Sequence, residues 1–111
     1  MLARKNRISK SEFPSPKTRG IRFLSASFSG VVYPTQPLNT KISVVVSKKT
    51  APKAVHRNRI KRQFYSLFGA YIEKFNKPIL IVVYPKKEAL FMKQTDLQKE
   101  VAKILKEMHL L

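Results

Sequence analysis

Residues 41–47 read Lys41-Ile42-Ser43-Val44-Val45-Val46-Ser47, and their apolar middle between polar ends predicts a β-strand. Residues 79–84, Ile79-Leu80-Ile81-Val82-Val83-Tyr84, are continuously apolar, which is typical of a strand covered on both faces. Between them, residues 54–75 have a helical period. One arc of about 100° collects the apolar side chains of Ile60, Phe64, Leu67, Phe68, Tyr71 and Phe75. The three segments predict a β-α-β unit.

The chain before this unit predicts one helix and one further strand. A short helix is expected over residues 6–13, and Pro14 and Pro16 prevent its continuation, because each lacks a backbone N–H group. Residues 23–33 mix aromatic and β-branched side chains with serines. This mixture indicates a single strand, in which Gly30 marks the expected position of a bulge.

The chain after the unit predicts a last amphipathic helix. Residues 95–98, Thr95-Asp96-Leu97-Gln98, fit a capping box at its start, with Thr95 as the N-cap. Gly69 is expected to kink the central helix or end it early, since glycine costs about 1 kcal/mol there relative to alanine. The predicted order is α-β-β-α-β-α. Residues 1–111 are therefore expected to form one α/β (α+β) sandwich domain with a small mixed sheet and helices.

The composition is that of a small, strongly basic protein. The 111 residues include 23 Lys and Arg against 6 Asp and Glu, a formal net charge of +17. A hydrophobic fraction of 43% is sufficient for a packed core, so extensive disorder is not expected. The chain has no cysteine, which excludes a disulfide scaffold and a thiolate metal site. Its longest apolar run, residues 79–84, is far too short to span a bilayer.

Most of the positive charge lies in the first part of the chain. Residues 1–62 carry 15 basic side chains and one acidic one, whereas residues 63–111 carry 8 and 5. The densest segment, residues 47–62, has seven cations and no acid. Like charges at this density repel one another, and a polyanion would neutralise them. Nucleic acid is therefore the expected class of partner, with an anionic lipid or another acidic surface as the alternative.

The sequence offers little for enzymatic chemistry. Its histidines are His56 and His109 and its acids are scattered, so neither a His/Cys metal site nor a paired-carboxylate site is predicted. Three phenylalanines, Phe13, Phe23 and Phe28, suit either the core or a stacking platform for unpaired bases. The chain is therefore expected to bind rather than to catalyse.

The dense basic segment can instead form a phosphate-binding edge. The N–H groups at the start of the central helix favour an anion, and the planar guanidinium group of arginine suits phosphate oxygens. The amide of Asn58 both donates and accepts hydrogen bonds, so it could read a base edge or hold a metal-bound water. The residues expected at this edge are Lys48, Lys49, Lys53, Arg57, Asn58, Arg59 and Arg62. The alternative for them is a solvated turn and helix face.

The basic segment resembles the signature of the protein subunit of bacterial ribonuclease P. The resemblance rests on Arg57-Asn58-Arg59-Ile60-Lys61-Arg62, on Ser47-Lys48-Lys49 upstream of it, and on Asn6-Arg7 before a helix that ends at Phe13. The apolar strand and the terminal amphipathic helix that follow also fit the family. The resemblance covers nearly the whole chain, and the central motif is its specific part.

The resemblance implies a ribonucleoprotein that removes the 5′ leader from precursor tRNA. In this family a catalytic RNA and its Mg²⁺ ions perform the hydrolysis, while the protein binds the ribonuclease P RNA and the leader. The chain would be an accessory subunit of an endoribonuclease, cytoplasmic, with no catalytic residue of its own and with neither DNA nor a membrane as partner. The family also joins its parallel strands by a left-handed crossover, although about 98% of such units are right-handed.

The resemblance also assigns residues to two RNA contacts. Arg57, Asn58, Arg59, Lys61 and Arg62 fall on the helix that faces the ribonuclease P RNA, with Lys48, Lys49 and Lys53 at its approach. The cleft for the 5′ leader is assigned Phe13, Lys17 and Val31. Lys17 replaces a second phenylalanine of the family, and Val31 takes the position of a cleft tyrosine. Leader contacts are therefore expected to be more electrostatic and less stacked than in the family.

Charge and size alone fit a second hypothesis, a ribosomal or other structural RNA-binding protein without a role in tRNA cleavage. A nuclease that works without an RNA subunit is less favoured, because the sequence lacks residues that could catalyse the cleavage. A helix-turn-helix DNA-binding protein is less favoured too, because the basic helix lies between strands.

Overall fold

The computed structural model describes residues 20–33, 40–75 and 79–110. These parts of the chain form, in order, β1 (Ile21–Leu24), β2 (Phe28–Tyr33), β3 (Lys41–Val44), α1 (Ala54–Gly69), β4 (Leu80–Pro85), a 3₁₀ helix (Lys87–Phe91) and α2 (Gln94–Glu107). The helix expected over residues 6–13 lies outside the described residues. None of the described helices has the length and apolar character needed to cross a membrane.

The strands form one mixed sheet in the order β1-β2-β4-β3. β2 pairs antiparallel with both β1 and β4, whereas β3 pairs parallel with β4. The parallel pair aligns Lys41 with Leu80 and Val44 with Val83, and α1 connects its two strands. The β-α-β unit and the small α+β fold with a mixed sheet are therefore confirmed. The left-handed crossover stays a prediction.

Residues 23–33 form two strands rather than the single strand expected. The chain turns at residues 25–27, where the amide of Ser25 donates a hydrogen bond of 2.8 Å to the carbonyl oxygen of Phe28. The turn has the sequence Ser-Ala-Ser and lacks the glycine or proline that marks most turns. The predicted order α-β-β-α-β-α therefore contains one strand fewer than the structure.

The bulge expected at Gly30 is wrong, because Gly30 pairs regularly with Phe23 on β1 and with Val83 on β4. Glycine is needed there for space. A Cβ atom at this position would collide with the ring of Phe23 and would lie 2.5 Å from the carbonyl oxygen of Val82. The ring of Phe23 thus lies against the backbone of β2 at Gly30, where the absence of a side chain leaves room for it.

The core is centred on aromatic rings between the sheet and α1. The ring of Phe28 on β2 makes edge-to-face contacts with Phe23, Phe64 and Phe68, with centroid distances of 6.1, 5.5 and 6.0 Å. Such pairs contribute about 0.5–1.5 kcal/mol beyond the burial of their surface. Phe23 and Phe28 are buried. The sequence allowed either core packing or base stacking for these two phenylalanines, and the structure places both in the core.

The ends of both helices differ from part of the sequence-based expectation. α1 ends at Gly69, which confirms the early end predicted as one outcome for that residue, so the helix stops before Phe75, where the helical period ends. α2 begins at Gln94 and has the extended residue Lys93 as its N-cap, with no side-chain cap. The capping box with Thr95 as N-cap is therefore wrong, because the backbone is already helical one residue earlier and Thr95 lies in the first turn.

Candidate nucleic-acid interface

The exposed side of α1 carries the guanidinium groups of the basic segment. The helix buries Ile60 and Phe64 against the sheet, and a helical period places Arg59 and Arg62 on the other side, where both are exposed. The first turn of α1 contains no acidic residue. The packing of the apolar side therefore fixes the direction in which the arginines face solvent.

Lys48 and Lys49 lie in a structured turn between β3 and α1. The carbonyl oxygen of Ser47 accepts hydrogen bonds from the amides of Thr50 and Ala51, each 3.1 Å long. The amide of Thr50 also donates to the hydroxyl oxygen of Ser47 at 3.2 Å. Both lysines are exposed. The turn thus presents two ammonium groups to solvent beside the start of α1.

Arg57 differs from the other arginines because its side chain folds back onto the loop. Its Nη1 donates hydrogen bonds to the carbonyl oxygens of Ala51 and Pro52, at 2.8 and 2.7 Å, and the residue is half-buried. The sequence contains a signal for this position: Arg57 precedes Ile60 by three residues and Phe64 by seven, which places it near the buried stripe. Arg57 therefore holds the loop against the helix.

The predicted RNA-binding residues lie together on the loop before α1 and on α1 itself. We call this set the basic surface; six of its members are exposed and two, Arg57 and Lys61, are half-buried. It comprises Lys48, Lys49, Lys53, Arg57, Asn58, Arg59, Lys61 and Arg62. The arrangement can hold several phosphate groups of a polyanion along one helix.

Sequence reasoning missed one cation at the same edge of the sheet. β3 and β4 are parallel, so the turn that follows β3 and the residues that follow β4 lie at one edge. Lys87 follows β4 and is exposed. Its neighbour Lys86 is held in place, because its Nζ donates to the carbonyl oxygen of Ser25 at 2.9 Å. The parallel pairing predicted from the sequence was the signal that could have placed Lys87 at the same edge as the turn that carries Lys48 and Lys49.

A second concave surface lies on the sheet, and we call it the sheet cleft. It has a volume of about 570 Å³. Val31, predicted to contact the leader, lies in it on β2 and is partly exposed. The other lining residues are Arg22, Phe23, Leu24, Ser29, Gly30, Tyr33 and Tyr84. Phe13 and Lys17, the other predicted leader contacts, lie outside the described residues.

Two tyrosines and an arginine of the sheet cleft were missed in the sequence. Tyr33 lies two residues after Val31 and thus on the same face of β2, while Arg22 and Val31 are directly paired. Tyr84 is opposite Ser29. Period-two alternation from Val31 was the signal that could have identified Tyr33. The cleft therefore contains aromatic rings although Val31 itself is aliphatic.

The pKa of Tyr84 reflects this grouping. Burial raises it above 10.0, the nearby Tyr33 raises it further, and the positive charge of Arg22 acts in the opposite direction. The phenol is therefore neutral near pH 7 and keeps its O–H as a hydrogen-bond donor. A neutral ring beside a guanidinium group suits a strand of unpaired nucleotides, since bases stack on the ring and phosphates pair with the arginine.

Comparison with known proteins identifies the family. A family model described as Ribonuclease P matches residues 2–109. The chain belongs to the ribonuclease P protein family. It is 33% identical over 85 residues to a ribonuclease P protein component from Pseudanabaena sp. (strain PCC 6903), covering 75% of this chain and 73% of that protein. It is 38% identical over 80 residues to the ribonuclease P protein component of Finegoldia magna, covering 70% and 69%.

Solved structures of ribonuclease P proteins have the same fold. A mutant of the Staphylococcus aureus protein with defective mRNA degradation activity superposes with a TM-score of 0.80 at 22% identity, covering 96% of this chain and 91% of that chain. The Thermotoga maritima protein gives a TM-score of 0.68 at 22% identity, covering 79% and 83%. The family match over residues 2–109 and the two relatives confirm the resemblance seen in the sequence. The known role of the ribonuclease P family is 5′ processing of tRNA as part of a ribonucleoprotein, so an RNA partner is implied.

Proposed function

We propose that the chain binds a ribonuclease P RNA through the basic surface and that the resulting ribonucleoprotein removes the 5′ leader from precursor tRNA in the cytoplasm. The observation that carries this proposal is the fixed, acid-free helix face with Arg59 and Arg62 exposed. Neutralising phosphates there releases counterions and favours binding. The loop anchored by Arg57 adds Lys48 and Lys49 to the same surface.

We assign the hydrolysis to the RNA subunit and its Mg²⁺ ions. Mg²⁺ prefers oxygen ligands in octahedral geometry, and RNA phosphates supply such ligands. The described residues contain no group of three or more His, Asp or Glu side chains that could hold a metal ion. The contribution of the protein is then to bind and orient both RNAs.

The sheet cleft is the proposed position of the 5′ leader. Its lining combines the charge of Arg22 with the rings of Tyr33 and Tyr84 and the aliphatic side chain of Val31. Single-stranded nucleic acid is bound by this combination of a cation and stacking rings. Phe13 and Lys17 remain proposed contacts on the strength of the family resemblance.

Cleavage of precursor tRNA at low Mg²⁺ concentration tests the proposal. A bacterial ribonuclease P RNA is incubated with precursor tRNA, with and without the protein, and the rate of leader release is measured. We expect the protein to increase the rate, because it adds cations that help the two RNAs associate. A rate that is unchanged by the wild-type protein contradicts the proposal. If the RNA that co-purifies with the protein is ribosomal, the alternative of a structural RNA-binding protein gains support.

Arg59→Ala tests the basic surface itself. We expect weaker binding to the ribonuclease P RNA and a slope of log affinity against log salt that is shallower by up to about one unit, because one phosphate contact is lost. Lys103→Ala is the matched control, since it removes one exposed cation from α2. An unchanged slope for Arg59→Ala would identify its guanidinium group as merely solvated.

A further inference from the structure

A groove runs along one flank of α1, and its lining is only partly cationic. It has a volume of about 520 Å³ and is lined by Val55, Asn58, Lys61, Arg62 and Tyr65. We propose that this α1 groove binds a single unpaired nucleobase of the bound RNA, with the flanking phosphates held by the cations. This inference rests on the proposed function, because it assigns a ligand to one part of the basic surface.

The groove has one fixed wall. Residues 55, 58, 62 and 65 follow one another at intervals of three or four and therefore form one stripe along the helix. At the end of this stripe the hydroxyl oxygen of Tyr65 accepts a hydrogen bond of 3.2 Å from the amide of Val44 on the outer strand β3. The bond joins α1 to the edge of the sheet. The ring of Tyr65 is thus held in position before any ligand arrives.

The apolar part of the lining indicates a base rather than a phosphate. Val55 is 73% exposed and lies in the first turn of α1, whose other exposed residues, apart from the small Ala54, are polar or charged. Valine is a poorer helix former than alanine and gains nothing from solvent, so its position is not explained by stability. The flat faces of a nucleobase would cover Val55 and meet the ring of Tyr65, which removes apolar surface from water.

The polar part of the lining matches the rest of a nucleotide. The exposed Asn58 amide can donate to one position of a base edge and accept from another. Arg62 and Lys61 border the same groove and carry the positive charge that the phosphates on either side of the base require. A phosphate alone would use only these two cations and would leave the apolar wall uncovered.

Two single-stranded oligonucleotides with the same number of phosphates test the proposal. One is oligouridylate of about 12 nucleotides, and the other is an abasic backbone of equal length. For Val55→Ala we expect affinity for oligouridylate to fall about three- to tenfold with an unchanged salt slope, and affinity for the abasic backbone to stay the same. The substitution does not endanger the fold, because Val55 is exposed and alanine has the higher helix propensity.

Matched variants separate the base contact from charge and from exposed apolar surface in general. Arg62→Ala should weaken binding of both oligonucleotides and make the salt dependence shallower. Phe91→Ala removes an apolar side chain that is 87% exposed outside the groove and should change neither affinity. If Val55→Ala leaves oligouridylate binding unchanged, or weakens both oligonucleotides equally, the groove does not bind a base.

The oligonucleotide-binding measurements can succeed or fail independently of the cleavage assay. If Val55→Ala selectively weakens oligouridylate binding while the wild-type protein fails to stimulate ribonuclease P RNA, the groove inference stands and the proposed function fails. If the wild-type protein stimulates cleavage but the variant binds both oligonucleotides normally, the proposed function stands and the groove inference fails.

Discussion

Glu100 is an acid that this basic chain uses to hold a turn. Its carboxylate accepts hydrogen bonds from the hydroxyl and the amide of Ser27, at 2.8 and 3.0 Å, and from the hydroxyl of Ser25 at 2.5 Å. Burial alone would raise the pKa of Glu100. The hydrogen bonds from Ser25, Ser27 and the Ala26 amide together outweigh burial and lower the pKa below 4.5. The charged form of Glu100 thus ties α2 to the β1–β2 turn.

The lowered pKa predicts a pH dependence of stability. Because the pKa of Glu100 is lower in the folded protein than in the unfolded chain, its stabilisation is present above the unfolded value, near 4.5, and is lost as the pH falls through the folded value. Glu100→Gln should therefore reduce the free energy of unfolding near neutral pH, and this difference from wild type should shrink below pH 4.5. Urea unfolding at a series of pH values measures both effects.

Glu107→Gln is the control for this experiment. Glu107 lies on the same helix, is exposed, and its substitution changes the net charge by the same amount. If the two variants show the same pH dependence, then overall charge and not the Ser25–Ser27 turn determines the effect.

Arg57 is predicted to stabilise the fold more than its neighbours do. Arg57→Lys keeps the charge but replaces the planar group that binds the carbonyl oxygens of Ala51 and Pro52. We expect the free energy of unfolding to fall by about 1 kcal/mol, the net contribution of a hydrogen bond of this kind. Arg59→Lys, an exposed control on the same helix, should change it by less than about 0.5 kcal/mol. Equal losses in the two variants would contradict the anchoring role of Arg57.

At the scale of elements, the glycines of the sheet and of the helix should respond in opposite ways to alanine. Gly30→Ala introduces a Cβ atom that meets the ring of Phe23 and the backbone of Val82, so we expect a loss of about 1–3 kcal/mol from overpacking. Gly69 is the last residue of α1 and has no positive φ. Gly69→Ala should therefore be neutral or stabilise by up to about 1 kcal/mol. Thermal or urea unfolding of both variants measures these changes. If Gly30→Ala leaves the free energy of unfolding unchanged, the Phe23 ring can move away from the added Cβ atom.

The elements that periodicity defines were predicted well, and those that depend on distant contacts were not. β3, α1 and β4 follow from runs of apolar residues whose spacing is a local property of the sequence. The β1–β2 turn was missed because Glu100, a residue more than seventy positions away, holds it. The start of α2 was shifted because the capping box is only a local preference, and the chain enters the helix from Lys93 instead.

For the candidate site, the sequence identified residue types and their clustering but not the direction of each side chain. The exposure of Arg59 and Arg62 follows from helical spacing. The inward turn of Arg57 depends on loop carbonyl groups that only the folded loop brings within reach. Of the three positions predicted for the leader cleft, Phe13, Lys17 and Val31, only Val31 is among the described residues, and it lines the sheet cleft. Its tyrosines come together only when β2 and β4 are paired.

The whole molecule concentrates its charge in a small volume. The described residues have a radius of gyration of 13.2 Å, and the full chain carries a net charge of +17. At about 0.1 M salt the screening length is about 10 Å, so like charges closer together than this distance repel one another. Repulsion of this kind favours expansion of the chain and so opposes folding, while the same charges favour binding of a polyanion.

Salt should therefore act in opposite directions on the free protein and on its RNA complex. Raising the KCl concentration from about 50 mM to about 200 mM should increase the Tm of the free protein by screening its repulsion. It should weaken RNA binding about a thousandfold if roughly six phosphates are contacted. A Lys48→Gln/Lys49→Gln double variant, which removes two exposed charges, should show a smaller change in both quantities. If the Tm of the free protein instead fell with salt, attraction between opposite charges would outweigh repulsion within the fold. RNA binding would then not relieve a charge repulsion that destabilises the free protein.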